Sequence, residues 1–186
     1  VMAKFAFPGK GFMNFIIMFL LIVPVETTII PLYSIVHNLG MSGTVFAVIL
    51  PPLVSVFNIF LFQQFFTNIS KEYIEAAQLD GASQLRIFFV IMMPLSAPIV
   101  ATVATFAFIG VWNDYIWPTM VLPSPQAGQW PLYPIQAALT TIQSIEGVTT
   151  GEVMASLVVT SIPIFLVYVF AQKYIVEGIG AGGLKI

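Results

Sequence analysis

Four stretches of this sequence contain no Asp, Glu, Lys or Arg: 27–70, 87–113, 115–145 and 153–172. Crossing a hydrocarbon layer of about 30 Å takes about 20 apolar helical residues, and each stretch is long enough. Length alone does not make a span. The third stretch holds Pro118, Pro123, Pro125, Pro131 and Pro134 among Gln, Ser, Thr and Gly, which reads as a surface loop. The apolar runs in and beside the other three stretches predict four transmembrane helices, near residues 12–32, 43–66, 96–117 and 153–173. The fold class is therefore all-α, a polytopic membrane helix bundle. Pro24 and Glu26 predict a kink or break in the first span, which membrane helices tolerate when neighbours satisfy the freed carbonyl. Gly40, Ser42 and Gly43 mark the turn into the second. The opening residues lack a short apolar core followed by a small-residue cleavage site, so no cleavable signal is expected.

Composition narrows the function classes. Charged residues make up 8% of the chain and mean hydropathy is +0.98, whereas a soluble domain carries about 25% charged residues. A water-soluble globule is excluded on that ground. The net charge of −2 provides no basic field, so no nucleic-acid partner is expected. With no cysteine, disulfides and thiolate metal sites are excluded. His37 is the sole histidine, and a metal centre would need carboxylates gathered from separate segments; no metal site and no catalytic residue is predicted.

The cations set the orientation. Lys4 and Lys10 precede the first span, Lys71 and Arg86 lie between the second and third, and Lys173 and Lys185 follow the fourth. With four crossings these regions share one side, which the positive-inside rule makes cytoplasmic. The opposite side receives His37 and a long outer loop over about 118–152, with Glu146 and Glu152.

The cytoplasmic loop over about 68–95 is the richest in charge. Ser70 can cap a helix whose first turn holds Glu72, favourable at the positive end of the helix dipole. Asp80–Gly81 interrupts that helix, because glycine permits the positive-φ turn that ends one helix and Asp can cap the next. The second helix runs from Ala82 through Phe88 and Phe89 towards Pro94. The small side chains of Ala76 and Ala77 let another surface approach the backbone, and Glu75 offers a charge that an Arg could grip bidentately. On periodicity alone an amphipathic interfacial helix is the favoured reading.

The spacing is more specific. Glu75-Ala76-Ala77, three residues, Gly81, nine residues, Ile91, two residues and Pro94 reproduce EAA-x3-G-x9-I-x-x-P. This resembles the loop of ABC importer permeases that bears that motif. Asp80-Gly81-Ala82-Ser83, Phe88, Pro94-Leu95, Pro31-Leu32-Tyr33, Trp112-Asn113-Asp114 and the tail from Glu177-Gly178 to Gly183-Leu184-Lys185 resemble the carbohydrate-importing, maltose-type branch. The resemblance implies a single permease transmembrane domain over 1–186, in the inner membrane of a bacterial or archaeal cell, with the elbow acting as a coupling helix. Glu75 would then make the polar ATPase contact, Ala76 and Ala77 the close packing, and Gly81 the bend. Asp80 would cap the following helix, while Ile91 and Pro94 would join the elbow to the third span. The implied partners are a sister permease, two ABC ATPase subunits, an extracytoplasmic solute-binding protein and a sugar. ATP and Mg would be used by the partner ATPase; no cofactor is expected on this chain. Such permeases have six spans, so the resemblance implies that the first two are missing from this sequence. The Lys185-Ile186 ending departs from a more usual Lys-Gly.

Other features compete. Gly178, Gly180 and Gly183 satisfy G-x-G-x-x-G without the βαβ context that a dinucleotide site needs, which leaves a flexible tail as the expectation. The phosphate-cradling G-x-x-x-x-G-K-[ST] pattern does not occur, so the chain lacks its own ATPase motif. For the translocation path, the candidates are Glu26, Asn58, Trp112, Asn113 and Asp114. Glu26 is a pathway group or an interfacial residue exposed by the Pro24 kink. Trp112 to Trp117 is an interfacial aromatic belt, or a sugar contact in which indoles stack and Asn and Asp bond hydroxyls. A glycerol-phosphate compound or a peptide is the alternative cargo. A secondary transporter would need midplane coupling carboxylates, and Glu26 and Asp114 both lie outward of that position.

Overall fold

The computed structural model describes residues 2–123, 133–142, 145 and 147–183, and among them there are helices and no strands. In chain order these are α1 (Lys10–Ile22), α2 (Val25–Asn38), α3 (Val45–Ile49), α4 (Val56–Asn68) and α5 (Glu72–Leu79). Then come α6 (Gln84–Leu95), α7 (Ala97–Asn113), α8 (Ile116–Val121), α9 (Ile135–Ile142) and α10 (Thr150–Gly183). By length and composition, Val45–Asn68 and Thr150–Val176 can each cross a membrane, and the bent pairs α1 with α2 and α6 with α7 bring the total to four. Counting each bent pair as one span gives the predicted number, but the third differs from the expected 96–117: its pair runs over Gln84–Asn113 and takes in the helix expected in the cytoplasmic loop.

Proline writes the breaks. Pro24 sits between α1 and α2 with an extended backbone, which makes the expected break in the first span. In the second span Pro51 and Pro52 form a 3-10 segment, Pro51–Leu53, between α3 and α4. Two successive residues without an N–H donor cannot continue the i→i−4 ladder. In α6 the middle stretch, Ile87–Met92, is wound as a π-helix ahead of Pro94. The carbonyl four residues before a proline loses its donor, and an i+5 winding shifts the pairing past it.

The chain divides into two compact units. One holds residues 1–22, 56–106 and 169–186, and every described Lys and Arg belongs to it. Its interior has two clusters. Ile74, Ala77, Ile87 and Met92 form one; Phe65, Ile99 and Val103 form the other; Phe66 and Ile69 pack against both. Lys4 ties the N-terminal segment down by donating to Thr67 O (3.0 Å) and to Ile69 O, at the carbonyl end of α4 where a cation is favoured. Burial, and then the nearby Lys71 charge, hold the Lys4 pKa below its ordinary value. Gln63 Nε2 donates to Asn14 Oδ1 at 2.9 Å, a polar link between α4 and α1 of the kind that joins membrane helices.

The second unit, 23–55 and 107–168, contains no Lys or Arg. Its core is Val36, Ala47, Trp117, Val121 and Leu122, packed by Ile29, Leu32, Tyr33, Met41, Val48 and Tyr133. Pro51 also explains one long-range bond here. The Ala47 carbonyl would ordinarily accept from residue 51, which has no N–H; Trp117 Nε1 donates to it instead, at 2.8 Å. Gly43, at φ +77°, adds a backbone bond from its N to Val121 O at 2.7 Å.

Two expectations change at this level. The stretch read as a surface loop from about 118 contains the end of α8 and all of α9, with Val121, Leu122 and Ala137 buried. Pro118 is tolerated because it lies in the first turn of α8, where a missing donor costs nothing. Pro125, Pro131 and Glu146 lie outside the described residues. The second change is the tail: α10 continues as helix to Gly183, and Gly178 is buried. Leu184, Lys185 and Ile186 lie outside the described residues.

Candidate functional site

The elbow of α5 and α6 is built from its turn outward. Gly81 adopts φ +77°, open only to glycine without strain. Ala82 N donates to Ala77 O at 2.9 Å and Gly81 N to Gln78 O at 3.0 Å, the paired 6→1 and 5→2 bonds of a Schellman ending. Ala77 therefore has two tasks, since its methyl is also buried in the Ile74, Ile87 and Met92 cluster. At the other end of α5, Ser70 Oγ accepts from Glu72 N at 3.2 Å, as its position predicts.

Asp80 does not cap α6. It is the C-terminal cap of α5, its N–H bonded to Ala76 O at 3.1 Å, and Ser83 Oγ accepts from Arg86 N at 3.3 Å to start α6. The reason is spacing. Gly81 and Ala82 are consumed by the Schellman turn, so the first extended residue available as a cap is Ser83, at φ −69° and ψ 156°.

Glu75 and Ala76 are exposed while Ala77 is buried, so the motif splits between a presented face and an anchoring one. Beside Glu75 and Ala76, Tyr73 and Leu85 are exposed and Leu79 is 89% exposed. Leucines so placed at the edge of a turn leave apolar surface uncovered by the chain itself. Ile91 packs partly buried against the anchoring cluster, and Pro94 lies exposed in the last turn of α6. Between α6 and α7 the chain bends by 70° at Ser96, which is fully buried and donates from Oγ to Met92 O.

The path candidates have separate surroundings. Glu26 is exposed in the first turn of α2, and Asn58 is half-buried in the first turn of α4. Trp112 stacks on Phe108 at 5.5 Å and donates from Nε1 to Thr160 O at 3.1 Å. Asn113 is exposed and returns its Nδ2 to Ile109 O at 2.9 Å; Asp114 Oδ1 accepts from Trp117 N at 3.2 Å and so starts α8. Trp117 is a core residue, not part of an interfacial belt. Sequence reasoning missed Ser96, Thr102 and Thr160, all buried. Small hydroxyl residues inside otherwise apolar helices were the available signal.

The chain matches a family model described as binding-protein-dependent transport system inner membrane component over residues 1–180. It is 32% identical over 184 residues to the arabinooligosaccharides transport system permease protein AraQ of Halalkalibacterium halodurans, covering 99% of this chain and 64% of that one. It is 33% identical over 176 residues to the sn-glycerol-3-phosphate transport system permease protein UgpE of Pectobacterium atrosepticum, covering 94% and 61%. Among solved structures, a bacterial ABC transporter involved in the import of the acidic polysaccharide alginate superposes with a TM-score of 0.75 at 28% identity, covering 93% of this chain and 64% of its own. The chain thus spans a little under two thirds of the curated relatives it matches. Helical architecture, apolar spans and the match over residues 1–180 lead to one statement: this chain belongs to the binding-protein-dependent transport system inner membrane components, a family of transport permeases and not of enzymes.

Proposed function

We propose that the chain forms part of the permease of an ABC importer for a sugar or oligosaccharide, and couples to a separate ATPase through the α5–α6 elbow. One observation carries this reading: the elbow presents Glu75 and Ala76 with exposed Leu79 and Leu85, while Ala77 anchors the same helix in a packed cluster. A docking helix needs both properties. The presented face supplies a charge and apolar contact to a partner, and the anchored face passes displacement to α6 and, through the Ser96 corner, to α7. The cations independently support a cytoplasmic elbow, because every described one belongs to the elbow's own unit. Partners in this reading are a sister permease, two ATPase subunits that use ATP and Mg, and a solute-binding protein on the outer side. Glu26, Asn58, Trp112, Asn113 and Asp114 remain the path candidates, with Asn113 and Glu26 the exposed pair.

The carbohydrate assignment follows the arabinooligosaccharide relative and the alginate transporter. A glycerol-phosphate cargo is the second reading, favoured by the UgpE relative. Uptake of labelled sugars against sn-glycerol 3-phosphate in membranes holding the whole transporter separates the two. The coupling role is tested by Glu75→Lys. Reversing the charge is expected to reduce ATPase subunit recovered with the permease about tenfold or more, as for other truncated interface charge pairs. Unchanged recovery and unchanged uptake would overturn it.

A further inference from the structure

The buried face of α7 reads Ile99, Thr102 and Val103, at 2, 0 and 9% exposure, spaced to lie along one side of the helix, with the fully buried Ser96 at the corner before it. Ile99 and Val103 pack with Phe65 and the partly buried Phe62 of α4. Thr102 faces a different neighbour. Its Oγ1 lies 2.9 Å from Pro98 O and 3.0 Å from Tyr174 O of α10, so its one proton is shared between its own helix and the other. One turn beyond Tyr174 the crossing is occupied by Gly178. A Cβ there would stand 2.4 Å from Thr102 Oγ1, so that hydroxyl would have to shift, and 3.0 Å from Pro98 O, where the backbone would have to give by a few tenths of an ångström. The two features meet at one atom: the hydroxyl that bonds across the crossing is the one that the lack of a side chain at Gly178 leaves room for.

Packing is continuous from this crossing back to the elbow. Ala77 sits with Ile74, Ile87 and Met92; Phe66 and Ile69 touch that cluster and also the one containing Ile99 and Val103. Close-packed interiors pass strain on instead of absorbing it. We infer that Gly178 and Thr102 are positioning residues that fasten the end of α10 to the start of α7, giving the elbow a second output: displacement reaches α10 as well as α7. This rests on the reading of the elbow as the ATPase contact.

The test uses the whole transporter with its ATPase, with a spin label on one of two exposed positions, Phe170→Cys on α10 or Phe89→Cys on α6. Label mobility is read before and after adding ATP, Mg and vanadate. Both labels are expected to respond when positions 102 and 178 are unchanged. Gly178→Ala, and separately Thr102→Val, which keeps the shape and removes the hydroxyl, are expected to cut the α10 response at least about fivefold and to spare the α6 response. An α10 response of full size in either single variant would overturn the inference, as would loss of both responses while the ATPase stays bound. Glu75→Lys serves as the separate control. If it spares both responses, the coupling reading of the elbow fails; if it removes both and Gly178→Ala changes neither, only the second output fails.

Discussion

Single atoms decide the sharpest features of this protein. Gly81 has no clash to avoid, since nothing lies within 4 Å of a Cβ built there; what reserves the position for glycine is φ +77° alone. Gly81→Val is therefore expected to strain the elbow by about 1–2 kcal/mol, seen as faster proteolysis between α5 and α6. Trp117 is held by a different logic. Its indole N–H serves a buried carbonyl that Pro51 leaves without a donor, so Trp117→Phe keeps most of the packing and abandons the Ala47 oxygen. A loss of about 1–3 kcal/mol is expected, measured as a lowered unfolding midpoint in detergent. Neither the Ala47 bond nor the Gly178 crossing was legible in the sequence. Their partners lie 70 and 76 residues away in the chain, and Trp117 beside Tyr115, or Gly178 beside Gly180, suggests only a local role.

At the scale of elements, proline and glycine were readable and apolar periodicity was not. Pro24 and Gly81 fall where their backbone chemistry demands a break or a turn, and the Gly81 turn correctly separated two helices. In the stretch after Asp114, by contrast, Pro118 and Pro134 masked α8 and α9, since a proline in or just before a first turn looks the same on paper as one in a loop. Nor could spacing show that Ser83 takes the cap expected of Asp80, because the Schellman ending of α5 consumes the two residues between them. The elbow's rigidity belongs to this scale too. Ile87, at 3% exposure, joins α6 to Ile74 and Ala77 of α5. Ile87→Ala is expected to cost about 2–5 kcal/mol and to speed amide hydrogen exchange across 72–79 well beyond that of α4.

For the whole molecule, charge and packing agree on one division. The unit with every described Lys and Arg is also the unit with the elbow, its two packed clusters and the Thr102–Gly178 crossing. The other unit has Glu26, His37, Asp114 and Glu152 and no cation among its residues. A bilayer sorts positive charge to the cytoplasmic face, so the proposed coupling role expects the elbow's unit on that side. The absence of cysteine from this chain makes that assignment directly measurable. Ala76→Cys on the elbow and Gly147→Cys ahead of α10 are labelled with a membrane-impermeant maleimide in intact spheroplasts and after permeabilisation. Gly147→Cys is expected to react in intact cells, and Ala76→Cys only once the membrane is opened; labelling of Ala76→Cys in sealed cells would contradict a cytoplasmic elbow and its coupling role.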